Sequence, residues 1–89
     1  GVAGMTLPIA RDLSRLGIRI CTISPGVFDT PMMATSSDQV RDSLIDMVQY
    51  PKRMGLPSEF ALLSEQIVEN PYLNGETIRL DGGIRVEPK

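Results

Sequence analysis

Few side chains in this sequence can do chemistry, and the stretch that gathers them is ISPGVFDTPM, residues 23–32. A β-like run halts at Pro25-Gly26, and Phe28, Thr30 and Pro31 follow in the next few positions. Such a segment is either an ordinary turn, because Pro-Gly is a common punctuator, or a loop that holds one end of a flat ligand. Elsewhere the inventory excludes more than it offers. The chain has no His, which rules out a Ser-His-Asp triad and any His-ligated metal site. Its single cysteine, Cys21, can form neither an internal disulfide nor a multi-thiolate site. Sitting inside an apolar run, Cys21 reads as a small core residue, and a free thiol fits a reducing compartment.

The elements that must position this loop are those of one small core. The chain has 89 residues, fewer than the usual ~100–200 per domain, and a chain of this size buries only roughly 60–65% of its unfolded surface. A 42% hydrophobic share suits a globular piece. Nine basic and 11 acidic residues give a net charge of −2, which is no electrostatic footprint for nucleic acid. No apolar run approaches the ~18–20 residues needed to span a membrane, and no signal peptide is visible. The chain starts at Gly1 without Met, and its first residues read as the middle of a helix. The expectation is a piece of a longer domain, with any localisation signal in the part that precedes it.

Residues 1–16 show helical periodicity. Val2, Met5, Ile9, Leu13 and Leu16 form one stripe, and Ala3, Leu7 and Ala10 widen it. An arc this wide predicts burial on more than one side. Gly1 and Gly4 would allow close helix approach, Pro8 should kink the helix, and Gly17 suits its end. Residues 18–24, IRICTIS, are apolar on both faces and read as a buried strand. Residues 25–35 are the loop of interest. Ser36 and Gln39 have capping-box spacing for a second helix whose inner face is Val40, Leu44 and Met47. A turn-rich connection over 49–57 leads to Pro57 at N1 of a third helix, with Glu59 at N3, an inner stripe of Phe60, Leu63 and Ile67, and an end at Asn70-Pro71. Asn74-Gly75 turns the chain into a strand over 76–80, and Asp81-Gly82-Gly83 turns it out again. The tail IRVEPK has no periodicity of its own.

Two strands separated by helices predict a parallel crossover. Two parallel strands alone leave unpaired edges, so further strands are expected beyond these residues. The fold class is therefore α/β, with about two strands and three helices from the C-terminal portion of a doubly wound parallel sheet. Residues 1–89 are taken as one partial domain. In such sheets ligands bind outside the carboxyl ends of the strands, and PGVFDTPM leaves the carboxyl end of 18–24.

SPG-V-F-x-T-P-M, RMGLPSEFA and LNGETIRLDGGI together resemble the C-terminal half of the short-chain dehydrogenases/reductases. Within them, TLPIARDL, PGVFDTP and ENPYLNGETIRLDGGIR are most similar to type-2 3-hydroxyacyl-CoA dehydrogenases. The resemblance implies a Rossmann-type domain that binds NAD, with the loop after the sixth strand closing over the nicotinamide. Pro25 and Gly26 would shape the turn beside the ring. The backbone of Phe28 and the backbone and hydroxyl of Thr30 would hold the carboxamide, whose one acceptor and two donors those groups can pair. A hydroxyl before Pro31 is also a natural helix cap, which is the competing role for Thr30. Met32 and Met33 would begin the segment lining the substrate cleft, where methionine makes an adaptable apolar wall; ordinary packing is their competing role. The family's Tyr-x-x-x-Lys pair is absent: Tyr50, Tyr72, Lys52 and Lys89 lack that spacing. These residues thus carry part of a cofactor site, no catalytic group and no metal ligand.

The resemblance further implies an acyl-CoA-type substrate, a homotetramer, no membrane or nucleic-acid partner, and a cytoplasmic location (mitochondrial matrix if eukaryotic). Regions like 1–16 pack in one subunit interface, and the last helix and strand in the other. The alternatives are an NADPH-dependent 3-oxoacyl-thioester reductase, a non-catalytic oligomerisation remnant, and a small α/β domain of unrelated function.

Overall fold

A computed structural model describes residues 2–84. Gly1, the side chains of Val2 and Ala3, and the tail over 85–89 lie outside the described residues. The element order is α1 Val2–Ser14, β1 Thr22–Pro25, α2 Pro31–Ala34, α3 Asp38–Asp46, α4 Pro57–Glu69 and β2 Thr77–Leu80.

Helix α1 runs through Pro8 to Ser14. Its end is closed by Ile18 N–H donating back to the Leu13 carbonyl at 3.3 Å, with Gly17 at φ +74° as expected of a terminating glycine. The helix buries Thr6 and Ala10, at 2% and 3% exposure, Ala10 beside the turn at Gly75. The Thr6 and Thr22 hydroxyls lie 2.6 Å apart, tying α1 to β1. The wide apolar arc is not buried all round. Met5, Leu7 and Leu16 remain exposed, and a Cβ added at Gly4 would meet nothing within 4 Å.

Strands β1 and β2 are parallel and adjacent, as the crossover argument requires, with Thr22 opposite Thr77 and Pro25 opposite Leu80. The ladder is shorter than the predicted 18–24. Ahead of it, Ile20 N–H is taken by the Asn74 side chain at 3.0 Å and Ile20 C=O by Gly75 N–H at 2.8 Å. The turn, rather than a strand partner, satisfies the backbone there. Beyond the ladder, Gly26 N–H donates to Leu80 C=O at 3.0 Å and carries the pairing into the loop.

Between the strands the structure adds a helix to the expected three. Thr30, in extended conformation, precedes Pro31, and the chain turns helically over α2. Proline at the first position loses no helical hydrogen bond, which favours that turn. The cap of α3 is Ser37, not Ser36: Ser37 Oγ accepts from Val40 N–H at 3.2 Å, while Ser36 N–H closes the preceding turn onto Met33 C=O at 3.1 Å. Of the face predicted for α3, Leu44 and Met47 are half-buried and Val40 is exposed. Helix α4 starts at Pro57 with Glu59 in its first turn, and Leu63 and Ile67 are its half-buried stripe, with Phe60 at the margin of exposure.

The C-terminus of α4 has no basic residue in its last turn. The cation comes from Arg19, in the segment just ahead of β1. Arg19 donates to the carbonyls of Ile67, Val68, Asn70 and Leu73 at 2.9–3.2 Å. Two of them, Ile67 and Val68, belong to the last turn of α4, whose carbonyls a helix end leaves without partners; Asn70 and Leu73 lie in the turn that follows.

Core burial is thin. Among the described residues only Thr6, Ala10 and Val48 are fully buried. The radius of gyration is 15.5 Å, against roughly 12 Å expected of a compact domain of this length.

Candidate functional site

Pro25 ends β1, so the loop begins at the strand's carboxyl end. Gly26 follows where no side chain fits: a Cβ there would stand 2.5 Å from Asp81 Cβ and 2.8 Å from Asp81 Cα. Asp81 is itself fixed. It pairs with Arg79 at 2.7 Å and accepts from Gly83 N–H at 3.0 Å. The chain therefore leaves the sheet at a point of close backbone approach, set by the turn after β2.

The next three residues are docked onto a distant segment. Gly55 N–H donates to Val27 C=O and Asp29 N–H donates to Gly55 C=O, both at 2.8 Å, in a parallel bridge centred on Phe28 and Gly55. Strand alternation turns the N–H and C=O of Phe28 to the opposite side from this bridge. Among the described residues those two groups have no hydrogen-bond partner. The Phe28 ring meets Phe60 edge-on, with centroids 6.0 Å apart. Thr30 accepts from Met33 N–H through its hydroxyl at 3.4 Å, a long bond, so the cap role is real but weak.

Pro25, Gly26, Phe28 and Thr30 line one open groove of about 490 Å³. Met33, Pro57 and Phe60 complete its largely apolar wall. The four residues named from sequence are thus brought together, and Met33 joins them. Met32 does not: it is 82% exposed. Sequence reasoning missed Pro57 and Phe60 as wall residues and missed the Gly55 bridge. Nothing in the spacing joins positions 28 and 55, and a single-residue bridge is too short to leave a strand pattern.

The turn bearing Gly55 is clamped by charge. Arg53 forms a two-pronged pair with Glu59, both bonds 2.9 Å, and Glu59 Oε1 also accepts from Leu56 N–H at 2.8 Å. The Arg53 guanidinium, then the Leu56 N–H, holds the Glu59 carboxyl at about 2, down from its ordinary 4.5. The arrangement is an open, largely apolar groove, and Phe28 on its lining has N–H and C=O groups without hydrogen-bond partners among the described residues. No group of three or more potential metal-ligating side chains occurs among the described residues.

Residues 1–85 match the family described as "Enoyl-(Acyl carrier protein) reductase". The chain belongs to this family, within the short-chain dehydrogenases/reductases. It is 59% identical over 87 residues to "3-hydroxyacyl-CoA dehydrogenase type-2" of Drosophila melanogaster, covering 98% of this chain and 34% of that protein. It is 56% identical over 88 residues to the protein of that name from Rattus norvegicus, covering 99% and 34%. The crystal structure of 3-hydroxyacyl-CoA dehydrogenase type-2 from Mycobacterium avium superposes with a TM-score of 0.92 at 44% identity, covering all of this chain and 34% of that one. The chain spans about a third of the length of the relatives it matches. The two parallel strands and four helices among the described residues are a portion of a Rossmann-type dehydrogenase fold. Family membership implies a nicotinamide cofactor. The donor set fits one: Phe28 offers N–H and C=O, Thr30 offers a hydroxyl, and the slot between Pro25 and Phe60 is apolar.

Proposed function

We propose that the protein carrying these residues is an NAD-dependent oxidoreductase that interconverts 3-hydroxyacyl-CoA and 3-oxoacyl-CoA. In this reading residues 1–89 form a single partial domain that supplies the nicotinamide-side loop, part of the substrate-cleft wall and subunit interfaces. The observation that carries it is the groove at the carboxyl end of β1, where Pro25, Gly26, Phe28 and Thr30 converge. That is where ligands of parallel sheets bind.

When bound, the nicotinamide supplies the hydride. What these residues do is position. The Phe28 N–H and C=O and the Thr30 hydroxyl would hold the carboxamide, each bond worth about 1 kcal/mol net. Their main effect is to fix which ring face meets the substrate, because transfer needs reacting atoms roughly 3–3.5 Å apart. The apolar wall of Met33, Pro57 and Phe60 excludes water from that face.

The assembly is a homotetramer, and the open faces of α1 and α4, with Leu7, Leu16 and Val68 exposed, are where further protein would pack. The location is cytoplasmic, or the mitochondrial matrix in a eukaryote. No described helix is long and apolar enough to cross a membrane.

The test is NADH oxidation with acetoacetyl-CoA by the protein that carries these residues. Turnover with NADH is expected. Turnover with NADPH alone would move the assignment to a 3-oxoacyl-thioester reductase, and none with either coenzyme would overturn the dehydrogenase reading. Light scattering checks the tetramer.

A further inference from the structure

The loop that forms the groove does not hold itself in place. Two backbone bonds from Gly55 flank Phe28, and the Phe28 ring lies directly over Gly55. A Cβ at position 55 would stand 2.7 Å from ring carbon Cε2 and 3.0 Å from Cδ2 and Cζ. Gly55 is not among the glycines with positive φ, so its backbone conformation is open to other residues. What demands glycine there is the ring. The ring's freedom to yield is limited by its edge-on contact with Phe60, centroids 6.0 Å apart, and by the bonded backbone on both sides of it.

From this geometry we propose that the turn over residues 53–59 is a positioning device for the candidate nicotinamide loop, with Gly55 as its contact and the Arg53–Glu59 pair as its brace. The proposal rests on the reading of the groove as the coenzyme site. The brace spans the contact. Arg53 and Glu59 close on each other across Gly55, Arg53 also donates to Met54 C=O at 3.0 Å, and Glu59 holds Leu56 N–H. The carbonyl and N–H of Gly55 are thereby presented at fixed spacing to Asp29 and Val27. Phe28 lines both the groove and a second cavity of about 200 Å³ that Arg53, Gly55 and Glu59 also line. With Val27, which also lines both, it stands between Gly55 and the groove. A shift at 55 moves Phe28, and with it the N–H and C=O that face away from the bridge. Gly55 and Glu59 act through Phe28 and touch no ligand; they are positioning residues.

The test is a double-mutant cycle read by NADH titration calorimetry on the protein that carries these residues. Gly55→Ala is expected to weaken NADH binding about tenfold when Phe28 is present. In the Phe28→Ala background, where the ring is gone, the same change is expected to weaken it less than about twofold. Packing neighbours couple in this way and independent sites do not. Equal weakening in both backgrounds, or no effect of Gly55→Ala, would overturn the proposal. Absence of NADH binding by the unsubstituted protein would instead overturn the coenzyme-site reading beneath it. If Gly55→Ala fails to fold, Glu59→Gln serves. It is expected to raise the NADH dissociation constant about threefold and to speed amide exchange at Asp29 and Gly55. Unchanged exchange at both amides would contradict the brace.

Discussion

Thr30 has two jobs available and one hydroxyl. In the structure it accepts from Met33 N–H at 3.4 Å and caps a four-residue turn. A bond that long leaves the oxygen able to turn to a better partner. Thr30→Val in the protein that carries these residues is therefore expected to weaken NADH binding about five- to tenfold, the worth of one hydrogen bond to a ligand, and to slow turnover. Titration and steady-state kinetics check it, and unchanged values would leave Thr30 a cap alone. Glu59 gives a prediction in pH. Its folded-state pKa is depressed from 4.5 to about 2 by Arg53 first and the Leu56 N–H second. A depressed carboxyl stabilises the folded state above its unfolded value, and that contribution is lost as pH falls from about 4.5 through about 2. Carboxyl NMR should show Glu59 titrating near 2, rising toward 4.5 in Arg53→Met. At this scale the sequence was informative about Pro25, Gly26, Phe28 and Thr30 because they are contiguous. It placed Glu59 at N3 of its helix, as found, but was silent on the pairing with Arg53, because a pair six apart across a turn has no periodic signature.

Arg19 shows how one side chain can join two elements. It sits just ahead of β1, and its guanidinium satisfies four carbonyls around the end of α4. Arg19→Met is expected to lower stability by about 2 kcal/mol, in the range for hydrogen bonds to a charged group, with a lower urea midpoint and an unchanged slope. An unchanged midpoint would mean water serves those carbonyls equally well. Nothing in IRICTIS marks Arg19 as a helix cap, since its partners lie some fifty positions on. Local grammar fared better. Gly17, Pro57 and Asn70 end and begin helices where their backbone chemistry says they should. The misplaced cap at Ser36 has a local cause too. Two serines in a row offer two caps, and which one serves depends on Met33 C=O claiming the Ser36 amide. The extra helical turn at Pro31–Ala34 was hidden because four residues are too few to show a period.

The whole chain is open rather than self-sufficient. Its radius of gyration exceeds that of a compact chain of its length, three residues are fully buried among those described, and Met32 and Tyr72 stand 82% and 97% exposed. The parallel crossover was legible from sequence because strand, helices and strand follow in order. How little of α1 would be covered was not, because an apolar arc says that a face will be buried and not by what. Since no Tyr-x-x-x-Lys pair occurs in the sequence, the 89-residue chain by itself is expected to show no NADH-dependent turnover of acetoacetyl-CoA. A measurable rate in a coupled absorbance assay would mean the chemistry has been misassigned. Whether the bend after β1 presents its backbone to a pyridine ring can be read from a crystal structure of the protein with NADH bound. The carboxamide is expected within about 3 Å of the Phe28 backbone and the Thr30 hydroxyl; a ring lying away from Pro25–Thr30 would rule the assignment out.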